Sequence, residues 1–240
     1  MIQYRQNHKM ELNMQITNII TDESLMELTQ HGTVSFPCEF YYDVIQNYDF
    51  GRINWHWHKE FEFAIAESDD VQCLVGNQTI SLNKGDGVFL NSGIIHSFET
   101  TKEGLLPNIL FSPEFIAPIK STIHEKFIEP FLLSEISHIV LTTSCSWQKE
   151  ILDSLKQLFC LFNSSSAAME LEVHTLACSI WTLLFQHRDK LQTIEASGTS
   201  RLTQSRLRAM LRYIELNYPT KLTLSHIAQA ANISISEALR

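Results

Sequence analysis

Two short stretches carry most of what the sequence says about its fold: HWHKEFE at residues 56–62 and GDGVFLNSGIIH at residues 85–96. Side chains two apart on a β-strand point to the same face. The two histidines of the first stretch therefore share a face, which its final glutamate joins if the alternation continues. The histidine that ends the second stretch follows a glycine turn on a returning strand. The spacing predicts a pocket between strands that is lined by His56, His58, Glu62 and His96.

The sequence around these stretches is typical of short strands separated by turns. From residue 36 to residue 112, runs rich in aromatic and β-branched residues alternate with turn sequences such as KGDG at residues 84–87 and NSG at residues 91–93. Six or seven strands at this spacing predict a sandwich or a small antiparallel barrel.

After Pro113 the apolar residues follow a helical period. Residues 147–162 and 169–190 place apolar side chains on one side of a helix, and a polar break separates the two segments. Two long amphipathic helices must cover their apolar surface. Packing against each other and against a second copy of the chain predicts a homodimer, and a purely intramolecular core is the alternative.

The last forty residues differ in charge from the rest of the chain. Residues 201–240 carry 6 basic and 2 acidic side chains, whereas residues 1–200 carry 12 basic and 25 acidic ones. An acidic body with a basic C-terminal segment favours contact between that segment and phosphate groups.

The same segment has the pattern of a helix-turn-helix. Pro219 ends a lead-in helix, and Thr223 or Ser225 can cap a short helix whose Ala228 allows a close crossing. Asn232 then tolerates a left-handed turn, and Ser234 or Ser236 can cap a second helix, shortly before residue 240.

Neither the apolar runs nor the cysteines indicate a membrane or secreted protein. The longest apolar run is far shorter than a membrane span, and the N-terminus lacks the apolar core of a signal peptide. The five cysteines are odd in number and form no C-x-x-C pair, which indicates reduced thiols rather than disulfides or a zinc ribbon. These observations predict a cytoplasmic protein with no membrane partner.

The two opening stretches resemble the paired motifs of the cupins. Gly51 precedes H-x-H-x-x-x-E, and the second stretch follows G-x-x-x-x-x-P-x-G-x-x-H, with Asn91 in place of the proline. The glycine expected after the first motif is replaced by AESDD at residues 66–70. The C-terminal segment resembles the first helix-turn-helix of AraC/XylS-family regulators, whose pattern is L-x-x-[LI]-A-x-x-x-x-[IVL]-S-x-S. FSPEFI at 111–116 and KFIEPFL at 126–132 look like that family's connecting segment.

The resemblance implies an α+β protein, with a cupin-type antiparallel β-barrel followed by a helical dimerisation section and the start of a helix-turn-helix domain. The implied divisions are an N-terminal arm at 1–35, an effector-binding barrel at 36–119, a helical dimerisation section at 120–195, a linker at 196–205 and an incomplete first helix-turn-helix at 206–240. Within the arm we predict one short helix, capped by Thr21 or Asp22 and ended by Gly32.

In function, the resemblance implies the sensing and dimerising part of a ligand-responsive transcription regulator rather than an enzyme. Its partners would be a small-molecule effector, a second copy of the chain and, for the intact protein, DNA. We expect residues 1–240 not to bind DNA specifically by themselves, because the first helix-turn-helix is incomplete. The candidate DNA contacts are Arg206, Arg208, Arg212, Lys221, Ser234, Ser236 and Arg240.

The predicted pocket residues do not decide whether the site holds a metal cofactor. Three histidines and a carboxylate are a donor set for iron, manganese, nickel or zinc. A divalent transition metal at His56, His58, Glu62 and His96 would suit a metal-dependent cupin enzyme of the dioxygenase or isomerase type, or a metal sensor. An organic ligand in a pocket without a metal is the alternative.

Overall fold

The computed structural model describes residues 18–22, 24–76, 78–191 and 220–239, and between them residues 206, 209, 210, 213, 214 and 217. The predictions for residues 1–17, for the linker at 196–205 and for Arg208, Arg212 and Arg240 lie outside the described residues.

The described residues form nine strands in two antiparallel sheets. The five-stranded sheet has the order β1-β8-β3-β6-β9 and the four-stranded sheet the order β2-β7-β4-β5. The strands are β1 Cys38–Val44, β2 Arg52–His56, β3 Phe61–Ile65, β4 Val71–Val75, β5 Gln78–Leu82, β6 Gly87–Leu90, β7 His96–Thr100, β8 Leu105–Phe111 and β9 His138–Leu141. The α+β class and the cupin-type fold are confirmed, as a jelly roll of two sheets whose described strands do not close into one barrel.

Strand β3 shows how the five-stranded sheet is covered on both faces. Its residues alternate between the interior of the jelly roll, where Ala64 packs with residues of the opposite sheet, and the outer face, where Phe61 and Phe63 pack against helices. All five residues of the strand are buried. On the outer face the Phe61 ring lies 4.4 Å from the Trp181 ring, between centroids. Aromatic burial of this kind fixes the helical layer to the sheet.

The helices follow the strands almost as predicted. Pro113–Ile116 (α1) and Glu129–Leu132 (α2) are short, a π-helical turn at His124–Ile128 precedes α2, and the long helices are Ser146–Phe162 (α3) and Met169–Leu191 (α4). Most of the apolar side of α3 is covered by the outer face of the sheet and by α4, and Trp147, Leu161 and Phe162 are partly buried. No helix among the described residues is long and apolar enough to span a membrane.

The predicted helix in the N-terminal arm is wrong. Residues 18–22 and 24–31, called the strap below, run across the jelly roll without a helical turn, and Thr21 pairs with Glu27. The Asp22 carboxylate accepts hydrogen bonds from the backbone of Ser24 and of Met26, at 2.7 and 3.0 Å. An aspartate that bonds the backbone just after it stabilises a turn, which competes with helix formation.

The predicted helical section at 120–195 also contributes a strand to the jelly roll. Residues 138–141 lie inside the span predicted as helical, but they form β9 and pair with β6 at the edge of the five-stranded sheet. A run of only four residues, HIVL, gives too short a pattern for its period to identify it.

Asn91 joins this edge to the helical section. Its backbone N–H donates to Ser137 O at 2.9 Å, and its side-chain amide donates to Phe131 O and Ile136 O, both at 2.8 Å. The side chain is 1% exposed, so water does not compete for these carbonyls. The residue that replaces the motif's proline therefore anchors the connection between α2 and β9.

Restoring the motif proline should destabilise the protein. Asn91→Ala leaves the Ile136 carbonyl without its side-chain donor, whereas Phe131 O keeps its bonds from Ser134, and we expect a loss of about 1–3 kcal/mol in the free energy of unfolding. Asn91→Pro also removes the backbone N–H that donates to Ser137, and it should cost about 1 kcal/mol more. Urea unfolding of the two variants and the wild type measures both steps. A proline variant as stable as the wild type would contradict this role of Asn91.

Candidate functional site

The four predicted pocket residues meet inside the jelly roll. His56 ends β2 and lies opposite His96, the first residue of β7, with 4.2 Å between their ring centroids. The His58 ring is 5.2 Å from that of His96, and Glu62 reaches in from β3 of the other sheet. All four are buried, and one ring nitrogen from each of His56, His58 and His96, called the histidine cluster below, lies within 4.8 Å of the other two.

A bulge in β2 brings the first histidine inward. Ile53 pairs with Phe98 and His56 with His96, so three steps along β2 match two steps along β7. Simple alternation would place residues three apart on opposite faces, whereas Ile53 and His56 both face the interior. The extra residue turns the strand, and His56 enters the pocket as a result.

Backbone carbonyls fix the rings of the histidine cluster. The Nδ1 atoms of His56, His58 and His96 lie 2.8, 3.2 and 2.8 Å from the carbonyl oxygens of Asn54, Glu60 and Ile94, respectively. A carbonyl only accepts, so each Nδ1 carries a proton and each Nε2 is left for the pocket. This is the arrangement in which a neutral histidine presents a lone pair to a ligand.

The carboxylate of Glu62 requires positive charge beside it. Its Oε2 lies 3.2 Å from His58 Nε2 and 3.1 Å from His96 Nε2, and a lone pair cannot face a carboxylate oxygen at that distance without a proton or another cation between them. Although burial alone would raise the pKa of Glu62, its close interactions with these two histidines hold it well below its usual range. Burial opposes charge on His96, but Glu62 outweighs that effect and raises the pKa of His96.

His56 is held neutral in the same cluster. Burial lowers its pKa to about 3, with the nearby His96 and His58 adding to the effect. His56 Nε2 therefore keeps an available lone pair at neutral pH. The histidine cluster and Glu62 together fit a divalent metal, because His96 Nε2 is buried and makes no hydrogen bond to any residue that the structure describes.

The pocket extends beyond the predicted residues to a small polar cavity of about 40 Å³. A cavity needs ~10–15 Å³ for one water, so this one accommodates an ion with its waters, or a few atoms of a ligand. Its other polar lining residues, which the sequence analysis did not identify, are Glu27, Thr29, His31, Tyr41, Asp43, Tyr48 and Asn108. A signal was present for two of them, because Asp43 and Asn108 are polar residues inside apolar strands.

Asp43 forms the polar end of the cavity opposite the histidine cluster. Tyr48 OH donates to its Oδ1 at 2.6 Å, and Asn108 Nδ2 donates to its Oδ2 at 2.7 Å. Burial raises the pKa of Asp43 to about 6, although both hydrogen bonds act in the opposite direction. Glu27, Asp43 and Glu62 bring three carboxylates to the cavity, and its described lining residues include no lysine or arginine.

The turn between β3 and β4 shows how this chain forms without the glycine that the cupin motif expects after its glutamate. Where the motif expects a glycine, Asp70 adopts a positive φ of 71°. Its carboxylate accepts a hydrogen bond from Thr101, and the preceding Asp69 accepts one from the Lys84 backbone at 3.1 Å. Aspartate tolerates this left-handed conformation better than most residues, so the turn forms without glycine.

The helix-turn-helix candidates have the predicted local geometry. Leu224–Ala230 (α5) is capped by Thr223, whose hydroxyl accepts from His226 N at 3.3 Å, and Ile235–Ala238 (α6) is capped by Ser234, which accepts from Glu237 N at 3.2 Å. Asn232 takes the left-handed turn with φ 53°.

The described DNA-contact candidates differ in their surroundings. Ser236 lies within α6 instead of capping it, and Lys221 is exposed. Arg206 Nη1 pairs with Glu237 Oε1 at 2.6 Å. Contact of these residues with DNA stays a prediction.

A jelly roll that encloses a polar cavity defines a small-ligand-binding domain. Residues 42–176 match the AraC-like ligand binding domain. The chain therefore belongs to the AraC-like ligand-binding domain family.

Similar proteins include transcription regulators. The uncharacterized HTH-type transcriptional regulator YdeC of Bacillus subtilis (strain 168) is 29% identical over 229 residues, which cover 93% of this chain and 76% of YdeC. Among solved structures, the AraC-like transcriptional activator CuxR matches with a TM-score of 0.44 and 13% identity over 74% of this chain, which spans 58% of the CuxR chain. An apo ToxT variant from Vibrio cholerae matches with a TM-score of 0.47 and 8% identity, over 85% of this chain and 73% of that one.

The charge state of Asp43 should make stability depend on pH. Its folded-state pKa of about 6 is above its unfolded value, so its contribution to stability is complete below about pH 4 and is lost as the pH rises through 6. Asp43→Asn should remove this dependence. The free energy of unfolding of the variant relative to the wild type should rise by about 1–2 kcal/mol between pH 4 and pH 7.5, a value reduced because the cavity admits water.

Urea unfolding of both proteins at several pH values measures this difference, and pH effects of the other groups largely cancel in the comparison. A difference between the two proteins that stays constant across the range would show that folding does not raise the pKa of Asp43.

Proposed function

We propose that this chain is the effector-sensing part of a ligand-responsive, DNA-binding transcription regulator. The observation that carries the proposal is a polar cavity inside the jelly roll, in a chain of the AraC-like ligand-binding domain family, that is followed by the capped helices α5 and α6. The name of YdeC as an HTH-type transcriptional regulator supports the same role.

The carboxylates of the cavity restrict the charge that an effector can carry. Three carboxylates line it, and an anionic effector would have to be buried beside them without an arginine or lysine to pair with among the described lining residues. A cation, or a neutral ligand that donates hydrogen bonds to these oxygens, fits instead. Ligand binding would then favour one arrangement of the DNA-binding segments, to the extent that the ligand binds that arrangement more tightly.

A metal sensor is the second candidate, and the facing Glu62 and histidine nitrogens favour it. A divalent metal held by His56, His58, Glu62 and His96 would supply the positive charge that this arrangement needs, and a Lewis acid if the protein were a cupin enzyme. The family match supports a sensor over an enzyme, because the same chain continues into a helix-turn-helix pattern.

Thermal unfolding with a panel of compounds tests the effector class. The panel contains divalent metals, sugars, amines and carboxylic acids, each with and without a chelator. A compound that binds only the folded protein raises the midpoint, by about 2.7 kcal/mol of stabilisation at a hundredfold excess over its dissociation constant. We expect shifts from metals or neutral donors and none from acids.

Two matched variants locate the binding. Glu62→Gln should abolish the shift, because it removes the charge at the centre of the pocket, whereas Glu103→Gln changes an exposed glutamate and should retain it. A shift produced by acids alone would refute the charge argument, and no shift with any compound would count against a sensing role.

We also propose that the chain forms a homodimer through α3 and α4. Most of their apolar surface packs on the sheet, but Leu171 on α4 is 68% exposed and Leu176, Leu183 and Phe185 are only partly buried. A dimer would cover these side chains. Light scattering at micromolar concentration should give twice the chain mass, and Leu171→Glu should lower it. A monomeric mass for the wild type would contradict the dimer.

A further inference from the structure

The strap brings a second histidine and carboxylate pair to the pocket. Backbone hydrogen bonds from Glu27 N to Trp57 O, at 2.8 Å, and from Trp57 N to Leu25 O, at 3.0 Å, fix the strap beside the end of β2. The Trp57 indole also donates to Ser24 O at 3.0 Å. Glu27 and His31 are consequently 9% and 5% exposed, although they lie outside the β-fold.

Glu27 and His31 approach each other without a hydrogen bond. His31 Nε2 lies 3.3 Å from Glu27 Oε2, yet this nitrogen makes no hydrogen bond to any described residue. Its other ring nitrogen, Nδ1, lies 2.9 Å from Tyr41 OH, which holds the ring in place. A cation bound between the nitrogen lone pair and the carboxylate oxygen would satisfy both atoms.

The same geometry is found at the centre of the pocket. His96 Nε2 lies 3.1 Å from Glu62 Oε2, is buried, and likewise makes no hydrogen bond to the described part of the chain. Two ligands bound about 2.1 Å from one metal ion lie roughly 3.0–3.4 Å apart at octahedral or tetrahedral angles. Both nitrogen–oxygen pairs are at this separation.

The two pairs are linked through the histidine cluster. Glu27 Oε2 is 4.0 Å from His56 Nε2, which faces the pocket. The His31 ring lies 5.7 Å from the His58 ring, between centroids. Glu27 and His31 of the strap thus line the same cavity as His56, His58 and Glu62 of the β-fold.

We propose that Glu27 and His31 extend the histidine cluster into a cation site shared between the strap and the β-fold, and that a divalent transition metal bound there holds the strap in place. This inference rests on the proposed sensing function and names its effector class. It adds two strap ligands to the four residues that the cupin motifs contain.

Titration with Co²⁺ alone, followed by its visible absorption, measures the affinity of each variant. The wild type should bind Co²⁺, and Glu27→Gln and His31→Gln should each weaken binding by at least about tenfold, the scale on which residues supporting a metal site act. Glu103→Gln is the matched control and should bind like the wild type. Circular dichroism and urea unfolding of each variant establish that it is folded before the comparison is made.

Hydrogen exchange gives a second measurement that does not depend on affinity. Co²⁺ at saturation should slow exchange of the backbone amides of Glu27 and Trp57 in the wild type, because the metal would hold both sides of the strap contact. Saturated Glu27→Gln should lose this protection. A role for Glu27 in packing alone would leave the effect of Co²⁺ on exchange unchanged.

The outcomes separate this inference from the proposed function. If the strap variants bind Co²⁺ like Glu103→Gln, or if Co²⁺ leaves the strap amides unprotected, the strap is not part of the site and the inference is wrong. If the wild type binds no Co²⁺, the inference is also wrong, whereas an organic compound that stabilises the protein would keep the sensing function.

Discussion

The buried carboxylate of Glu62 is the constraint on which the pocket depends. An ionised carboxylate removed from water costs several kcal/mol unless opposite charge and hydrogen bonds compensate. Here the compensation comes from His58 and His96, whose rings are in turn oriented by backbone carbonyls. The turn before β7 serves this arrangement, because it brings His96 to face Glu62 Oε2, while the bulge in β2 adds His56 to the same pocket. The interior of the jelly roll is therefore organised by charge as much as by apolar packing.

The same strand connects this charge to the helical layer. Glu62 faces the cavity, while its neighbours Phe61 and Phe63 face the helices, and Phe61 packs on Trp181 of α4. The Trp181 indole donates to Phe127 O at 3.0 Å, which fixes the segment before α2 as well. A tightly packed layer of this kind transmits displacement rather than absorbing it. A ligand that contacted Glu62 would thus be separated only by this strand from α4, part of the dimer interface that we propose.

The strands and long helices were predicted from the short periods of their apolar residues. The H-x-H-x-x-x-E motif also predicted that His56, His58 and Glu62 meet, but alternation along one strand is not the reason. His56 ends β2 after a bulge, His58 lies between the strands, and Glu62 lies on β3 of the other sheet. The strap could not be predicted in this way, because its position depends on bonds to Trp57, some thirty residues away. The anchoring role of Asn91 was hidden likewise, since its partners Phe131 and Ile136 are forty or more residues distant.

Size and charge together restrict what the cavity can hold with the strap in this position. Ile19, Glu27, Thr29 and His31 of the strap form part of its lining, so the strap sets the volume of about 40 Å³. A sugar or an aromatic acid is larger than this volume, so with the strap in this position only part of it would fit inside the cavity. To bury it fully, the strap would have to move, breaking its backbone bonds to Trp57. An ion fits the cavity as it stands and, under our proposal, would gain ligands from the strap. The strap position would thus favour a metal over a fully buried organic ligand.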